Sequence, residues 1–287
     1  MLASTLASAQ KTPAVDPAYQ AAVDKWKAEM AEDLKQNWLP LAGLFWLKPG
    51  ENTFGTDAAN MLVLPPNSAP AKGGKFVLQG KDVTVMFASG EAATINGKPA
   101  KTAQLDSDRT GHPSEIELGT LRMHVIARGY RVGIRVKDLD SPAVKNYRGG
   151  EFFPLNPVYK ITATWIPSDG KKTVDVPNVL GDITPTPVAG EARFKLNGQE
   201  ITLQALGGDP KEGLFFIFKD QTSKTETYPP GRFLQTDAVA NGTIVLDFNE
   251  AYNPHCAVTP YATCPLPPKE NQLAVAIPAG EKYVRTH

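Results

Sequence analysis

The sequence lacks long apolar runs and an excess of charge of either sign, and these absences exclude several classes of protein. No run of about 18 or more consecutive apolar residues occurs, so we predict no membrane-spanning helix. The chain carries 30 basic and 30 acidic residues. This balance argues against a surface that binds nucleic acid or anionic lipid through bulk charge, and we predict no nucleic-acid partner.

The usual catalytic signatures are also missing. The sequence contains no G-x-S-x-G elbow, H-E-x-x-H zinc motif, P-loop or dinucleotide fingerprint. Histidine is scarce, with four in the chain. His124 lies in an alternating apolar run, a pattern typical of a packed strand residue rather than of a catalytic base or a ligand. We therefore predict no cofactor and no metal, and the sequence leaves open whether the protein is an enzyme.

Proline and glycine are abundant, and one segment alone predicts a helix. The 25 prolines and 24 glycines interrupt short apolar runs and exclude long helices over most of the chain. Asp16 is a typical helix cap and Pro17 suits the first helical position, which predicts an N-terminal helical region over residues 16–42. Its apolar side chains recur every three or four residues: Tyr19, Val23, Trp26, Met30 and Leu34.

The first residues, MLASTLASAQ, are typical of the end of a signal peptide. Ala7 and Ala9 fit an A-x-A cleavage site before Gln10. We therefore predict that residues 1–15 are a signal-peptide remnant and that the protein is secreted or periplasmic. The alternative is a disordered tail of small residues.

Residues 43–141 predict a β-sandwich-like region. Short apolar runs are bounded by Gly, Pro, Asn or Asp, and Gly129-Tyr130 separates two alternating runs, as in a hairpin. The phrase TFGTDAANMLVLP, with NGKP some thirty residues on, resembles the opening strands of a forkhead-associated (FHA) sandwich. The phosphothreonine-reading Arg and Ser-x-x-His of that family are not evident, so the resemblance implies an FHA-like architecture and no more.

A Pro/Gly-rich connector leads into residues 142–287, which predict an antiparallel β meander or barrel-like half. Asn197-Gly198 between two alternating runs is a strong hairpin signal. The segments GLFFIFKD, GTIVLDF and QLAVAI predict further strands. The fold class is therefore mostly β, with an N-terminal helix, in one large domain or two.

Polar residues are concentrated among aromatics and prolines between residues 228 and 271. Asp247 and Asn249 point to one face of their predicted strand, and we expect Arg232 to meet Asp247 or a ligand carboxylate or phosphate. Such a cluster is typical of a ligand pocket, and equally of a scaffold that ties a long loop to a sheet. The predicted ligand-binding residues are Tyr228, Arg232, Asp247, Asn249, Tyr252, Asn253, Glu270 and Asn271.

Longer stretches resemble a known family. GRFL, LDFNEAYNPHCAVTPYATCPLPPKENQLAVAIPAGEKY and FFPLNP are similar to the C-terminal signature of the DUF1684 family of bacterial proteins of unknown function. WLKPGENTFGTDAANMLVLP and RVGIRVKD in the first half are similar to that family too. The resemblance implies a fold and a site location but no activity.

Three functions stay open at this point. A binding module would hold a small polar or anionic molecule in a C-terminal pocket, with Arg232 as the anchor. A hydrolase would use Asp247 or Glu270 as general acid or base. A structural, envelope-associated protein would satisfy all these polar groups internally and leave no cavity among them.

Both cysteines of the chain lie between residues 228 and 271, eight positions apart. Cys256 and Cys264 are close enough for a Pro-rich loop to bring them to disulfide distance, and we predict a disulfide between them. The alternatives are a metal clip, a nucleophilic thiol activated by Arg232 or His255, and unbonded structural thiols.

Overall fold

The computed structural model describes residues 14–90 and 92–284, and these residues form two compact units. The N-terminal unit comprises residues 32–148 and 258–262. The C-terminal unit comprises residues 14–31, 149–257 and 263–284. The predicted cleavage site at Ala7 and Ala9 lies outside the described residues. Within the described ranges, no helix is both long enough and apolar enough to span a bilayer.

The predicted N-terminal helix is confirmed as α1, Pro17–Asp33, although the helical region ends before residue 42 because the first strand begins at Leu41. Asp16 caps it, because its Oδ1 accepts the backbone N–H groups of Ala18 at 2.7 Å and Tyr19 at 3.1 Å. The Asp16 side chain thus satisfies two backbone N–H groups that the first turn of α1 would otherwise leave without a partner. A single π-helical turn, Leu34–Trp38, follows α1 and ends two residues before the first strand.

The inner face of α1 packs on the C-terminal unit. Val23 is completely buried, and the Trp26 ring meets Phe152 and Tyr252 edge-on at centroid distances of 6.1 and 6.3 Å. Large aromatic rings in this arrangement bury much apolar area and fix the angle of approach. The helix is therefore anchored by tertiary packing as well as by its cap.

The N-terminal unit is a β-sandwich, as predicted. Its six-stranded sheet has the order β1-β11-β10-β9-β6-β7 and its five-stranded sheet the order β3-β2-β4-β5-β8, with all pairs antiparallel except β2 with β3. Buried apolar side chains from both sheets form one core. The strands are β1 (Leu41–Trp46), β2 (Gly50–Gly55), β3 (Leu62–Val63), β4 (Gly74–Gln79), β5 (Asp82–Phe87), β6 (Ala93–Ile95), β7 (Lys98–Pro99), β8 (Thr102–Leu105), β9 (Ile116–Leu118), β10 (Leu121–Arg128) and β11 (Arg131–Asp138). A short helix, α2 (Pro142–Asn146), ends the unit.

The C-terminal unit is antiparallel, as predicted, and its strands form three separate sheets. Their orders are β16-β15-β12-β20, β13-β14 and β17-β18-β19. The four-stranded and three-stranded sheets share one apolar core. The strands are β12 (Lys160–Pro167), β13 (Thr173–Pro177), β14 (Ile183–Pro187), β15 (Gly190–Leu196), β16 (Gln199–Ala205), β17 (Gly207–Asp209), β18 (Gly213–Phe218), β19 (Arg232–Gln235) and β20 (Thr243–Asp247).

The two hairpins predicted from turn residues are both present. Gly129 and Tyr130 connect β10 to β11, and Asn197 and Gly198 connect β15 to β16. Asn197 and Gly198 have φ values of 52° and 78°, the left-handed pair that a two-residue hairpin turn requires. Local turn chemistry therefore determines the register of the β15–β16 hairpin.

Candidate functional site

Asp247 is the centre of a polar cluster in the C-terminal unit. It ends β20, and its side chain caps the 3-10 turn Phe248–Glu250 by accepting the backbone N–H of Asn249 at 3.1 Å. The side-chain amide of Asn249 donates to the same oxygen, Oδ1, at 3.0 Å. Strand end and turn together place the carboxylate at the edge of the sheet, where a side chain of α1 reaches it.

Tyr19 of α1 is that side chain. Its hydroxyl lies 2.8 Å from each oxygen of the Asp247 carboxylate. Lys160, the first residue of β12, places its ammonium 3.3 Å from Oδ2 of Asp247 and 4.3 Å from the centre of the Tyr19 ring. Burial and the hydrogen bond to Asp247 raise the pKa of the Tyr19 hydroxyl, which therefore stays a donor at neutral pH.

Asn249 connects the carboxylate to the chain before β12. Its side-chain nitrogen also donates to the Tyr19 hydroxyl and to the backbone carbonyl of Asn156, both at 3.0 Å. Its Oδ1 accepts the backbone N–H of Asn156 at 3.0 Å. Because every polar atom of the Asn249 amide has a partner, this side chain positions the cluster and is not open to a ligand.

Glu250 is the one carboxyl of the cluster that makes no hydrogen bond or ion pair with another described residue. It is half-buried and follows directly after the Asn249 turn. Burial, and next the negative charge of Asp247, raise the pKa of Glu250 from its ordinary value to about 7, although Lys160 acts in the opposite direction. We call Tyr19, Lys160, Asp247, Asn249 and Glu250 the Asp247 cluster.

Arg232 does not belong to this cluster, and the predicted pair between Arg232 and Asp247 is wrong. The Arg232 side chain is 0% exposed, and its Nη2 lies 3.4 Å from a carboxylate oxygen of Asp220, which is also buried. The guanidinium lies 5.2 Å from the centre of the Phe218 ring. The reason is topological: Arg232 begins β19, which pairs with β18, whereas Asp247 ends β20 in another sheet.

The segment around the Arg232–Asp220 pair corrects a second expectation, a strand over QLAVAI. Arg232 donates to the carbonyls of Ala279 and, at 3.0 Å, of Ile277, and the N–H of Ile277 donates to Asp220 at 2.7 Å. Side chains in residues 272–277 do alternate between exposed and buried. Residues 274 and 275 form a bend, and the buried ion pair replaces part of a sheet ladder as the hydrogen-bonding partner of the segment.

A third polar group joins Asn253 to Glu281. Oε2 of Glu281 accepts the backbone N–H of Asn253 at 2.7 Å, and the Asn253 side chain donates to the carbonyl of Lys282 at 2.8 Å. Burial raises the pKa of Glu281 to about 7, against the lowering effect of its Asn253 hydrogen bonds. A Cβ on Gly150 would lie 2.6 Å from Oε1 of Glu281, so a larger residue there would require the Glu281 carboxyl to move.

The remaining predicted residues have mainly structural surroundings. The fully buried amide of Asn271 bridges the backbone of Gln204 and Ile217 at 2.9 Å, while Glu270 beside it is exposed. Tyr252 packs between aromatic rings. Tyr228 donates to the carbonyl of Cys256 at 3.3 Å, and burial raises its pKa to about 12.

Cys256 and Cys264 face each other across the loop. The N–H of Cys256 points at Sγ of Cys264 at 3.2 Å, and the N–H of Cys264 points at Sγ of Cys256 at 3.3 Å. This reciprocal arrangement closes the loop with or without a covalent bond. The disulfide stays a prediction.

The structure therefore divides the predicted site among separate groups and adds members that the sequence analysis did not select. Tyr19, Lys160 and Asp220 come from distant parts of the chain, and no local motif marks them. A shallow depression of about 390 Å³ beside β17, β18 and β19 is lined by none of the eight residues predicted to bind a ligand.

Comparison with known proteins identifies the family. A family model described as a protein of unknown function, DUF1684, matches residues 145–282, which contain the Arg232–Asp220 pair and all of the Asp247 cluster except Tyr19. The chain belongs to the DUF1684 family. The resemblance noted for the C-terminal signature is thereby confirmed, and the similar stretches in the first half lie outside the matched residues. No curated protein matches the chain.

Solved structures give further likenesses for this DUF1684 protein. A solution NMR structure of an uncharacterised protein of Haloarcula marismortui is 30% identical, covers 50% of this chain and 80% of its own, and has a TM-score of 0.41. The FhaA FHA domain, in complex with an intracellular domain, is 17% identical over 33% of this chain and 97% of its own, with a TM-score of 0.24. A second FHA structure, from a study of phosphothreonine-dependent interactions, is 17% identical over 34% and 95%, with a TM-score of 0.24.

Proposed function

We propose that this DUF1684 protein binds a small polar molecule at the Asp247 cluster, with Glu250 as the group that contacts it. The observation that carries the proposal is the half-buried Glu250 carboxyl, which has no hydrogen-bond or ion-pair partner in the described ranges, beside a carboxylate that its own neighbours engage. A carboxyl that has lost part of its hydration without gaining a partner from the described part of the chain gains from a ligand that supplies one.

The charge of the cluster favours a ligand with hydroxyl or amine donors. Asp247 and Glu250 face one cation, Lys160, whose ammonium is already 3.3 Å from Asp247. An anionic ligand would add a third negative charge, whereas a neutral or cationic donor meets a carboxyl that accepts hydrogen bonds. The Lys160 side chain is 45% exposed and leaves the cluster open to solvent.

A hydrolase is the second candidate, and the properties of Glu250 favour it. Two carboxyl groups with different surroundings are the arrangement from which enzymes obtain an acid and a base. Glu250, with its pKa raised to about 7, is suited to general acid–base catalysis near neutral pH, in place of the predicted Asp247 or Glu270. Asp247 would hold the surrounding donors, since its two oxygens already accept them.

Ligand-observed NMR with named probes tests binding. Glycerol, D-glucose, ethanolamine and inorganic phosphate are added separately to the wild type, to Glu250→Ala and to Glu226→Ala, an exposed glutamate of the same unit that serves as the matched control. We expect glycerol, glucose or ethanolamine to bind to the wild type and the control, and binding to weaken at least tenfold in Glu250→Ala. Binding of phosphate alone, equal binding in all three proteins, or no binding contradicts the proposal.

Chromogenic substrates test the second candidate. 4-Nitrophenyl esters, glycosides and phosphates are offered to the wild type, Glu250→Gln and Glu226→Gln. A hydrolase that uses Glu250 would lose turnover in Glu250→Gln alone, with a rate that changes through about pH 7 in the wild type. Binding of the NMR probes without any turnover leaves the binding function and rejects the hydrolase.

A further inference from the structure

The N-terminal unit contains a cleft that the proposed function does not use. It is a cavity of about 230 Å³ at one end of the sandwich, between the β4–β5 turn, the segment that follows β8 and the β10–β11 hairpin. Its volume is below the roughly 300–1,000 Å³ of pockets for drug-sized ligands. A single small metabolite or one amino-acid residue is the size of occupant that fits.

The cleft combines an apolar floor with an exposed aromatic ring. Leu105, Ala127 and Val132 line it and are buried in the sandwich core or beside it. Tyr130 also lines it, and its side chain is 78% exposed, more than any other large apolar or aromatic side chain among the described residues. The guanidinium of Arg131 lies 4.6 Å from the centre of the Tyr130 ring, and the exposed remainder of the ring beside an apolar floor is suited to cover the hydrocarbon part of a ligand.

Four charged side chains, two of each sign, also line the cleft. They are Lys81, Asp82, Asp106 and Arg109. Within the described ranges none of the four forms an ion pair. The adjacent Asp108 differs, because it pairs with Arg128 at 2.5 Å and accepts the N–H of Ala127 at 2.9 Å.

One of the four charges is held in place. The Nη2 of Arg109 donates to the carbonyl of Gly129 at 2.7 Å, which ties the guanidinium to the β10–β11 turn. The remaining guanidinium donors stay available for a carboxylate or another anion. Lys81 and Asp82 stand together where β5 begins, and Asp106 follows β8 directly.

We propose that this cleft binds a small zwitterion of the amino-acid class. The ligand carboxylate meets Arg109 or Lys81, and the ligand ammonium meets Asp82 or Asp106. The ligand side chain lies on the apolar floor against Tyr130. An anion without an ammonium group gains from two of the charges and is repelled by the other two, so the balanced set selects a ligand that carries both signs.

Titration calorimetry and amide NMR of the full chain test the proposal with defined probes. L-leucine carries both charges, N-acetyl-L-leucine amide carries neither, and inorganic phosphate is only an anion. We expect L-leucine to bind and to shift the Tyr130 amide signal, and we expect the other two probes to bind at least tenfold more weakly. A second series with L-tyrosine measures whether a ligand with a larger side chain, packed against Tyr130, binds more tightly.

Charge-neutralising variants locate the site. Lys81→Gln and Asp82→Asn remove exposed charges of opposite sign, and Lys72→Gln removes an exposed charge of the same unit that does not line the cleft. Each of the first two should weaken L-leucine binding at least tenfold, and the control should not. Equal binding by all variants, preference for phosphate, or no binding of L-leucine or L-tyrosine overturns the proposal. Because the ligands expected to bind and the variants expected to weaken binding differ from those used for the Asp247 cluster, either proposal can fail without the other.

Discussion

The hydroxyl of Tyr19 lies 2.8 Å from both carboxylate oxygens of Asp247, 228 positions further along the chain. This contact joins the first turn of α1 to the end of β20. It also places an aromatic ring under the Lys160 ammonium, 4.3 Å away. The helix is therefore part of the Asp247 cluster as well as of the fold.

Removing the Tyr19 hydroxyl tests how much its contact with Asp247 contributes to the free energy of unfolding. Tyr19→Phe should lower the free energy of unfolding by about 1–3 kcal/mol, because Asp247 loses a donor in a partly buried place. Urea denaturation measures the change. Tyr130→Phe, which alters an exposed ring, should change it by less than about 0.5 kcal/mol. Equal effects of the two variants would mean that the contact to Asp247 is not formed.

We predict a larger loss of stability when the Arg232–Asp220 pair is broken. Replacing one partner leaves the other charge buried without its counter-charge, so Arg232→Met and Asp220→Ala should each destabilise by about 3–5 kcal/mol. The double variant should be less destabilised than the sum of the two. Thermal and urea unfolding of the four proteins measure the coupling, and strictly additive effects would show that the two side chains do not interact.

Because the pKa of Glu281 is raised in the fold, we predict that the free energy of unfolding depends on pH. The pKa is raised from an ordinary value of 4.5 to about 7, so the folded protein holds the proton more tightly than the unfolded chain. This contribution is fully present below about pH 4.5 and is lost as the pH rises through about 7, with a slope of up to ~1.4 kcal/mol per pH unit.

Glu281→Gln isolates that contribution, because glutamine keeps the shape beside Gly150 and an oxygen for the N–H of Asn253. Urea unfolding at pH 5, 6, 7 and 8 should show a flatter pH dependence in the variant than in the wild type. Glu250 contributes in the same direction in both proteins and cancels from the difference. Parallel curves would place the pKa of Glu281 at its ordinary value.

The two cysteines predict a redox-dependent stability. If the predicted export places the protein in an oxidising compartment, Cys256 and Cys264 should carry no titratable thiol and the intact mass should be two protons lower. Closing this loop of about nine residues should stabilise the fold by about 2.5 kcal/mol, which the double variant to serine should lose. Two titratable thiols in protein purified from its native compartment would contradict the disulfide.

Much of the fold follows from local sequence patterns. Asp16 and Pro17 determine the start of α1, and Asn197-Gly198 determines the β15–β16 turn, because a cap or a left-handed turn depends on neighbouring residues alone. Alternation likewise indicates which side chains of a strand are buried. It does not distinguish a ladder strand from residues 272–277, whose backbone bonds in part to Arg232 and Asp220.

The site was less accessible to sequence reasoning, for a physical reason. Arg232 and Asp247 lie 15 positions apart in a polar stretch, yet the sheets that carry them separate their side chains. Tyr19 and Lys160, which do contact Asp247, sit in an ordinary amphipathic helix and at the start of an ordinary strand. Partners that meet only through tertiary packing leave no spacing signal, so the sequence suggested Arg232 as the partner of Asp247, whereas the structure places Tyr19 and Lys160 there.

The pKa of the Glu250 carboxyl tests the proposed binding function most directly. Carbon-13 NMR of the side-chain carboxyls, assigned with Glu250→Gln, follows its titration from pH 4 to pH 9. We expect a pKa near 7, from burial and the adjacent Asp247, and a shift of that pKa when glycerol, glucose or ethanolamine binds. A pKa near 4.5 that none of the probes changes would contradict the assignment of Glu250 as the ligand-contacting group.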